Sequence, residues 1–492
     1  MSTAVTDDAF WHYEEMWDDD LWSTNPLSFP GYDAILADLP EESVQTGLAD
    51  ISGVAVVLIE HRFESMGGTM GAVAGEKVVR AFARATRLRL PLVAVIRTGG
   101  ARMQEGMVSL VQMARTTDAV ALHSQSGLLS LGVLRSPTTG GVFASWASQL
   151  DLRIVEAGST IGFGGPRVVQ QMTGHAPPSS SHNAESAFRS GLVDAIADTP
   201  ADISAWVSSA LGATRQPLLV PEGRPILEGP RAAEAMTAMD RVRDARAHTR
   251  ASGLEWAAAL TTSWVEIRGK ASVVRAGLAT VAGQRVLVIA MDRHRHAEGT
   301  ALLQPADFRL AQRAVRTAGR LGIPILTLVD TNAADPGPDA EADGIAGEIA
   351  RLFRAFSEAP VPTVALCVGE GGSGGAMAFC HTDQFLMLSD SVFSVISREG
   401  AATILTRDVN NAAGIAEHLG LTAEESLDLG VIDKIVSNQL GADWVIATVS
   451  QALRNAIVGD RSRQTEALMV NAVTTKLATG KGSSILGVGR CG

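Results

Sequence analysis

Five glycines crowd one stretch of the chain, Val364-Ala-Leu-Cys-Val-Gly-Glu-Gly-Gly-Ser-Gly-Gly-Ala-Met-Ala378, where an apolar run breaks at Gly369, Gly371, Gly372, Gly374 and Gly375. A buried strand, clustered glycines and a helix start leave backbone N–H groups unpaired, and such groups can hold an oxygen bearing negative charge. The chemistry on offer is an anion or oxyanion cradle. Two other motifs overlay the same residues. Gly369-x-Gly371-x-x-Gly374, with Asp390 downstream, fits the dinucleotide fingerprint. Only about two helical turns separate Gly375 from the next apolar run, however, and that unit needs a full crossover helix within ~30 residues. Gly371-x-Ser373-x-Gly375 fits the nucleophile elbow of serine hydrolases, which requires a later histidine and acid; after Ser373 only His381 and His418 are available.

The cradle occurs twice. Leu128-Leu-Ser-Leu-Gly-Val-Leu134 leads into Pro137-Thr-Thr-Gly-Gly-Val142 on the same plan, and aligning the glycine pairs places Gly140 234 positions before Gly374. Upstream, Ala81, Arg87, Leu88, Pro91 and Thr98 recur as Ala314, Arg320, Leu321, Pro324 and Thr331, at a spacing of 233. Downstream, Gly191-Leu-Val-Asp-Ala-Ile196 recurs as Gly430-Val-Ile-Asp-Lys-Ile435, at 239. Landmarks in one order at nearly one spacing mean two copies of one fold.

Each cradle must be positioned by a strand before it and a helix after it. In the first copy Val54-Ala-Val-Val-Leu-Ile-Glu60 reads as a buried strand, Phe63 to Gly71 as a loop, and Gly75 to Ala85 as a helix. Leu90 to Ile96 reads as a strand ending in Thr98-Gly-Gly-Ala-Arg-Met-Gln-Glu-Gly106, where Gly99 and Gly100 offer an anion site and Arg102 and Glu105 a charged rim. A third unit, Ile154 to Ile161 with Gly162-Phe-Gly-Gly-Pro-Arg-Val-Val169, follows. This alternation predicts an α/β fold.

The length of 492 residues exceeds one core. The expected organisation is an acidic, Trp-rich segment over 1–49, a first domain over 50–212, and a linker over 213–230 rich in Pro and Gly. A second domain over 231–457 and a tail over 458–492 complete it, with helices over Arg231 to Ala251 and around Trp256 to Trp264, and the second repeat starting at Val273. Three of eight tryptophans lie in Phe10-Trp-His-Tyr-Glu-Glu-Met-Trp-Asp-Asp-Asp-Leu-Trp22, a segment suited to docking on its own domain or on a partner. A net charge of −12 argues against a broad nucleic-acid surface. No apolar run approaches the ~20 residues of a membrane span, and the acidic start lacks a signal peptide's pattern, so a cytoplasmic protein without membrane association is expected. Three cysteines, Cys367, Cys380 and Cys491, exclude a disulfide framework and a cysteine zinc site within the chain.

Phe63-x-x-Met-Gly-Gly-Thr-Met-Gly71, Gly99-Gly-Ala-Arg-Met-Gln-Glu-Gly106, Pro137-Thr-Thr-Gly-Gly-Val142 and Ile161-Gly-Phe-Gly-Gly-Pro-Arg-Val168 resemble the carboxyltransferase β subunit of bacterial acetyl-CoA carboxylase. Asp330-Thr-Asn-Ala-Ala-Asp-Pro-Gly337, Gly369 to Ala376 and Val395-Ile-Ser-Arg-Glu-Gly400 resemble the α subunit. The resemblance, over roughly residues 50 to 440, is to a β–α fusion. It implies tandem crotonase-like (ββα spiral) domains and transfer of carboxylate to a short acyl-CoA from carboxybiotin, which a biotin carboxyl carrier protein presents after loading by biotin carboxylase. In that mechanism the ureido anion left by loss of CO2 removes the proton beside the thioester, and the enolate captures CO2. Two oxyanions then need donors, one per cradle.

By position, Gly140 and Gly141 would serve the thioester, and Gly375 and Ala376 the biotin ureido oxygen. Gly99, Gly100, Arg102, Arg135, Gly164, Arg167 and Gly374 are the expected binding residues; the arginines would meet CoA phosphates or a carboxylate, or act as structural ion-pair partners. The family builds its site between halves of different protomers, so a homodimer or larger assembly is implied. The chain departs from the family in lacking a four-cysteine zinc ribbon, and in Ala333-Ala-Asp-Pro-Gly337 and Arg398, which lie by position near the expected biotin side and bear on donor and acceptor specificity. A biotin-independent malonyl-CoA or malonyl-carrier decarboxylase with the same cradles, and a non-catalytic structural subunit, are the alternatives.

Overall fold

The computed structural model describes residues 10–220, 226, 237–294, 302–396 and 398–461. Two sheets of matching topology lie side by side. The first contains Tyr13–Trp17 (β1), Val44–Ile51 (β2), Val54–His61 (β3), Leu92–Thr98 (β4), Ser130–Thr139 (β5), Leu152–Glu156 (β6), Ile161–Gly162 (β7) and Ala195–Ala197 (β8). Its order is β1-β2-β3-β4-β5-β6-β8, with β7 beside β5. The second contains Thr261–Ile267 (β9), Val274–Val281 (β10), Gln284–Met291 (β11), Ile325–Thr331 (β12), Thr363–Gly372 (β13), Gln384–Leu388 (β14), Val392–Ser394 (β15) and Lys434–Val436 (β16). There the order is β9-β10-β11-β12-β13-β14-β16, with β15 beside β13. The first three strands of each sheet pair antiparallel and the rest parallel. Parallel strands need crossovers, and the helices Ala72–Leu88 and Pro305–Leu321, 233 residues apart, supply the equivalent crossover in each copy.

The structure moves three expected boundaries. The cut at residue 50 falls inside β2, whose alternation of buried and half-buried residues belongs to the first sheet. The second sheet starts at β9, not at Val273: Trp264 lies in a strand, and the helix before it, Gly253–Leu260, is shorter than expected. Of the charged helix expected over 231–251, Ala238–Ala245 is helical and residues 231–236 lie outside the described part, as does the tail beyond 461.

The Trp-rich segment docks on its own domain. β1 occupies the edge position that β9 holds in the second copy, Trp17 lies 5.0 Å under the Arg84 guanidinium, and Asp18 accepts from Arg80 at 2.9 Å and also pairs with Arg84. These arginines hold the Asp18 carboxyl below its ordinary range despite the opposing cost of burial.

One buried cluster spans both halves, beside a cluster confined to each. Ile203, Trp206 and Val207, on the helix Pro200–Leu211, belong to the same buried cluster as Val265 and Ile267 of β9. A Cβ on Gly191 would come within 2.6 Å of Gly269 Cα, so backbones of the two halves nearly touch. Arg313 donates to Asp194 at 3.0 Å and to the Asp151 carbonyl at 2.9 Å, and Arg320 pairs with Asp151.

One buried base lies beneath the Phe63–Gly71 loop. His61 is 5 % exposed; its Nδ1 donates to the Gly68 carbonyl at 3.0 Å, and its ring stacks on Trp146. Burial pushes the imidazole from 6.5 down to about 4, against the Gly68 hydrogen bond that favours protonation. Between these values the unfolded chain binds a proton that the folded chain refuses, so this group costs stability as pH falls from about 6.5 to about 4. Replacing His61 by Gln, which keeps a donor for Gly68, should flatten that part of the stability profile by on the order of 3 kcal/mol. Urea titrations of both proteins at a series of pH values check it; identical slopes would refute it.

Candidate active site: two backbone cradles

Both cradles begin with an irregularity in strand pairing. Ile96 faces Leu134 but Thr98 faces Thr138, so β5 carries two extra residues. Val329 faces Cys367 but Thr331 faces Gly371, the same excess in β13. Such bulges bend a strand and re-aim the residues beyond them. Each is tied by the residue at the same place on the preceding strand, with opposite chemistry. Arg97 Nε donates to the Ser136 carbonyl at 2.8 Å, whereas Asp330 Oδ1 accepts from Glu370 N–H at 3.1 Å.

In the first cradle β5 passes into the short helix Gly140–Phe143. Gly140 has φ +70°, and a Cβ there would sit 2.9 Å from Gly100 Cα, so both glycines are required by backbone approach. Gly140 N–H donates to the Phe163 carbonyl at 2.9 Å and is therefore spent. Gly141 N–H stays in the first turn without an intrahelical acceptor. The expectation narrows from a pair of donors to Gly141. Gly164 lies next to Phe163, in the segment that this bond fastens to the cradle, and Arg167 is exposed at the start of the helix Pro166–Thr173.

Four expected binding residues are engaged elsewhere. Gly99 N–H donates to the Gly67 carbonyl and Gly100 N–H to Thr98 Oγ1, both at 2.9 Å, leaving no anion site in that turn. Arg102 is 1 % exposed: it donates to Ser23, Ser43, Tyr32 and Glu105 and lies 3.7 Å from Glu42. It is a buried structural cation, because the N-terminal segment closes over it. Glu105, expected on a charged rim, is equally buried, accepting from Tyr32 at 2.7 Å and from Ala72 N–H at 2.5 Å. Arg135 pairs with Glu156 at 3.4 Å and lies 5.3 Å over the Phe10 ring.

In the second cradle β13 passes into the helix Ser373–Phe379. Ser373, at φ +63°, occupies the place of Gly140; the spacing is 233, not the 234 obtained by matching glycine pairs. Ala376 N–H is the helix's first internal donor, to the Gly372 carbonyl, so it is not free. The first-turn N–H groups of Gly374 and Gly375 are the ones without an intrahelical acceptor. Gly372 and Gly375 are forced by contact, since a Cβ would meet Asn332 O at 1.6 Å and Ala334 N at 2.9 Å. A cavity of about 330 Å³ opens beside Ser373, Gly374, Met377, Phe393 and Val395.

Behind this cradle lies a buried charge network that the motifs did not reveal. Arg293 donates to Asp330 at 2.9 Å and approaches Glu370 at 3.5 Å, and Arg246 grips Glu370 at 2.8 and 2.6 Å. Arg250 grips Asp390 at 2.7 and 2.6 Å and the Val368 carbonyl. Asp390 is thus a brace, not a ribose ligand. Burial raises the Asp330 carboxyl above its ordinary range, with Arg293 opposing. Cys367 is core, its thiol pushed up to about 12 by burial. Of the two histidines that follow Ser373, His381 is used otherwise: its Nε2 lies 2.9 Å from Ser357 Oγ.

Paired sheets of this order define a tandem crotonase-like fold. The structure is similar to transcarboxylase 12S, solved with methylmalonyl-coenzyme A and methylmalonic acid bound, with TM-score 0.75, 20 % identity and coverage of 91 % of this chain and 88 % of that one. Residues 230–478 match the family model described as acetyl co-enzyme A carboxylase carboxyltransferase-like. The acetyl-coenzyme A carboxylase carboxyl transferase subunits beta/alpha of Salinispora arenicola are 40 % identical over 439 residues, covering 85 % of this chain and 77 % of that protein. A probable biotin-dependent acyl-coenzyme A carboxylase beta3 subunit of Mycobacterium bovis is 32 % identical, covering 89 % and 90 %. The chain belongs to the acetyl-CoA carboxylase carboxyltransferase family, in the form with β and α parts fused. It is a carboxyltransferase subunit of a biotin-dependent acyl-CoA carboxylase.

Proposed function

We propose that the chain carboxylates a short acyl-CoA, acetyl-CoA to malonyl-CoA first among them, with the first cradle holding the thioester oxygen and the second the ureido oxygen of biotin. The observation that carries this reading is the repeated bulge, turn and helix start, which leaves N–H donors at equivalent places in both halves. Biotin supplies the carboxylate when its carrier protein presents it, and a biotin carboxylase reloads that carrier. The chain's own part is to fix both oxygens with Gly141 on one side and Gly374 and Gly375 on the other. Fixed N–H dipoles favour charge that develops on an oxygen without having to reorganise. Met377 makes the wall beside the second cradle apolar.

A homodimer or larger assembly in the cytoplasm is part of this reading. Transcarboxylase 12S is a hexamer. Apolar side chains stand exposed next to both cradles, Phe163 at 73 % and Val395 at 72 %, and a second copy would bury them. Among the described residues no helix is long and apolar enough to cross a membrane.

The reverse reaction tests the function. Purified chain given malonyl-CoA should form acetyl-CoA only when biocytin is added, with carboxylate appearing on the biocytin. Turnover without biocytin would make it a decarboxylase, and no turnover with any donor in an intact assembly would make it a structural subunit.

A further inference from the structure

Among the described residues the Ser373 hydroxyl makes no hydrogen bond. Its backbone is left-handed, at φ +63°, where any side chain is disfavoured relative to glycine. The first copy resolves the same turn with Gly140, at φ +70°. Ser373 also lines the cavity of about 330 Å³, beside Gly374. The hydroxyl thus faces a cavity at a turn for which, as the repeat shows, glycine suffices.

We infer that the Ser373 hydroxyl is a hydrogen-bond donor to the oxygen held in the second cradle, working beside the Gly374 and Gly375 N–H groups. It keeps its proton and forms no covalent bond; a serine hydroxyl supplies one donor that can rotate to follow the oxygen as charge builds on it. The first cradle has no counterpart, so the two are chemically unequal: one of N–H groups alone, one with an added O–H. This inference rests on the donor-side assignment of the second cradle.

The test uses the full chain with Ser373→Gly and Ser373→Ala, followed by melting temperature and by transcarboxylation between malonyl-CoA and biocytin. The glycine variant should melt at or above the parent temperature because the left-handed strain is gone. Both variants should lose about tenfold or more in kcat with biocytin, in line with a lost oxyanion donor, and leave the KM for malonyl-CoA unchanged. Full turnover of both variants, at whatever melting temperature, would mean that the hydroxyl does nothing to the ligand and would overturn the inference. Labelling of the parent by a fluorophosphonate would also overturn it, by making the serine a nucleophile. Gly374→Val separates this from the parent reading. If that variant is fully active, the cradle assignment itself fails; if it is inactive while Ser373→Gly is fully active, only the role of the hydroxyl fails.

Discussion

Valine at position 374 is expected to lower carboxyl transfer by about 10²-fold or more, the loss seen when an oxyanion donor is removed, while the protein melts as before. Gly374 has no atom within 4 Å of a Cβ and no left-handed φ, so nothing in the fold demands a glycine. It is exposed and lines the cavity, so an isopropyl group would stand where a ligand enters. Stability should change by no more than about 0.5 kcal/mol, as at other surface sites. Gly375 is a poorer place for the same experiment, because bulk there collides with Ala334 backbone and mixes misfolding with lost binding. In the first cradle Gly141 is the matching site: its nearest obstacle is Met113 Sδ at 3.0 Å, a side chain free to move. Turnover of the purified Gly374→Val protein, read beside its melting curve, decides the matter. Full activity at unchanged stability would mean that the turn is only a turn.

The second large effect is on folding. Arg102→Ala should cost about 3–5 kcal/mol, because Glu42 and Glu105 would remain buried with their cation gone. The same arginine gathers Ser23, Tyr32 and Ser43 around Thr69, so its loss should also loosen the N-terminal segment. Urea unfolding and the malonyl-CoA KM separate this role from phosphate binding. A phosphate ligand predicts a raised KM at normal stability, and that result would reject the structural assignment.

The duplication was legible because its landmarks, Pro91 with Pro324 and Thr98 with Thr331, sit at strand ends where spacing is fixed by geometry. The cradles were legible as glycine clusters, but their donors were displaced by one residue, since matching Gly140 to Gly374 assumes that equivalent turns hold equivalent residues. Ser373 breaks that assumption, and the upstream spacing of 233 was the signal that would have found it. Arg102 was misread for a different reason. A charged residue after a glycine turn reads as a rim when the chain is followed locally, yet burial here comes from Ser23 and Tyr32, some seventy or more positions away. The network of Arg246, Arg293, Asp330 and Glu370 likewise joins segments far apart in sequence, where no motif spacing can announce it. β1 was missed as a strand because it contributes one short edge, with only its ends half-buried.

The seam between the halves makes the peptide that joins them thermodynamically minor. Ile203, Trp206 and Val207 meet β9 in a common core, and Arg313 and Arg320 fasten one half to carboxylates of the other. Each half completes its own sheet and holds a buried cluster of its own, but a further cluster is closed only where the two meet. Cohesion therefore resides in the contact, so cutting the chain within 221–236 should leave the two halves associated.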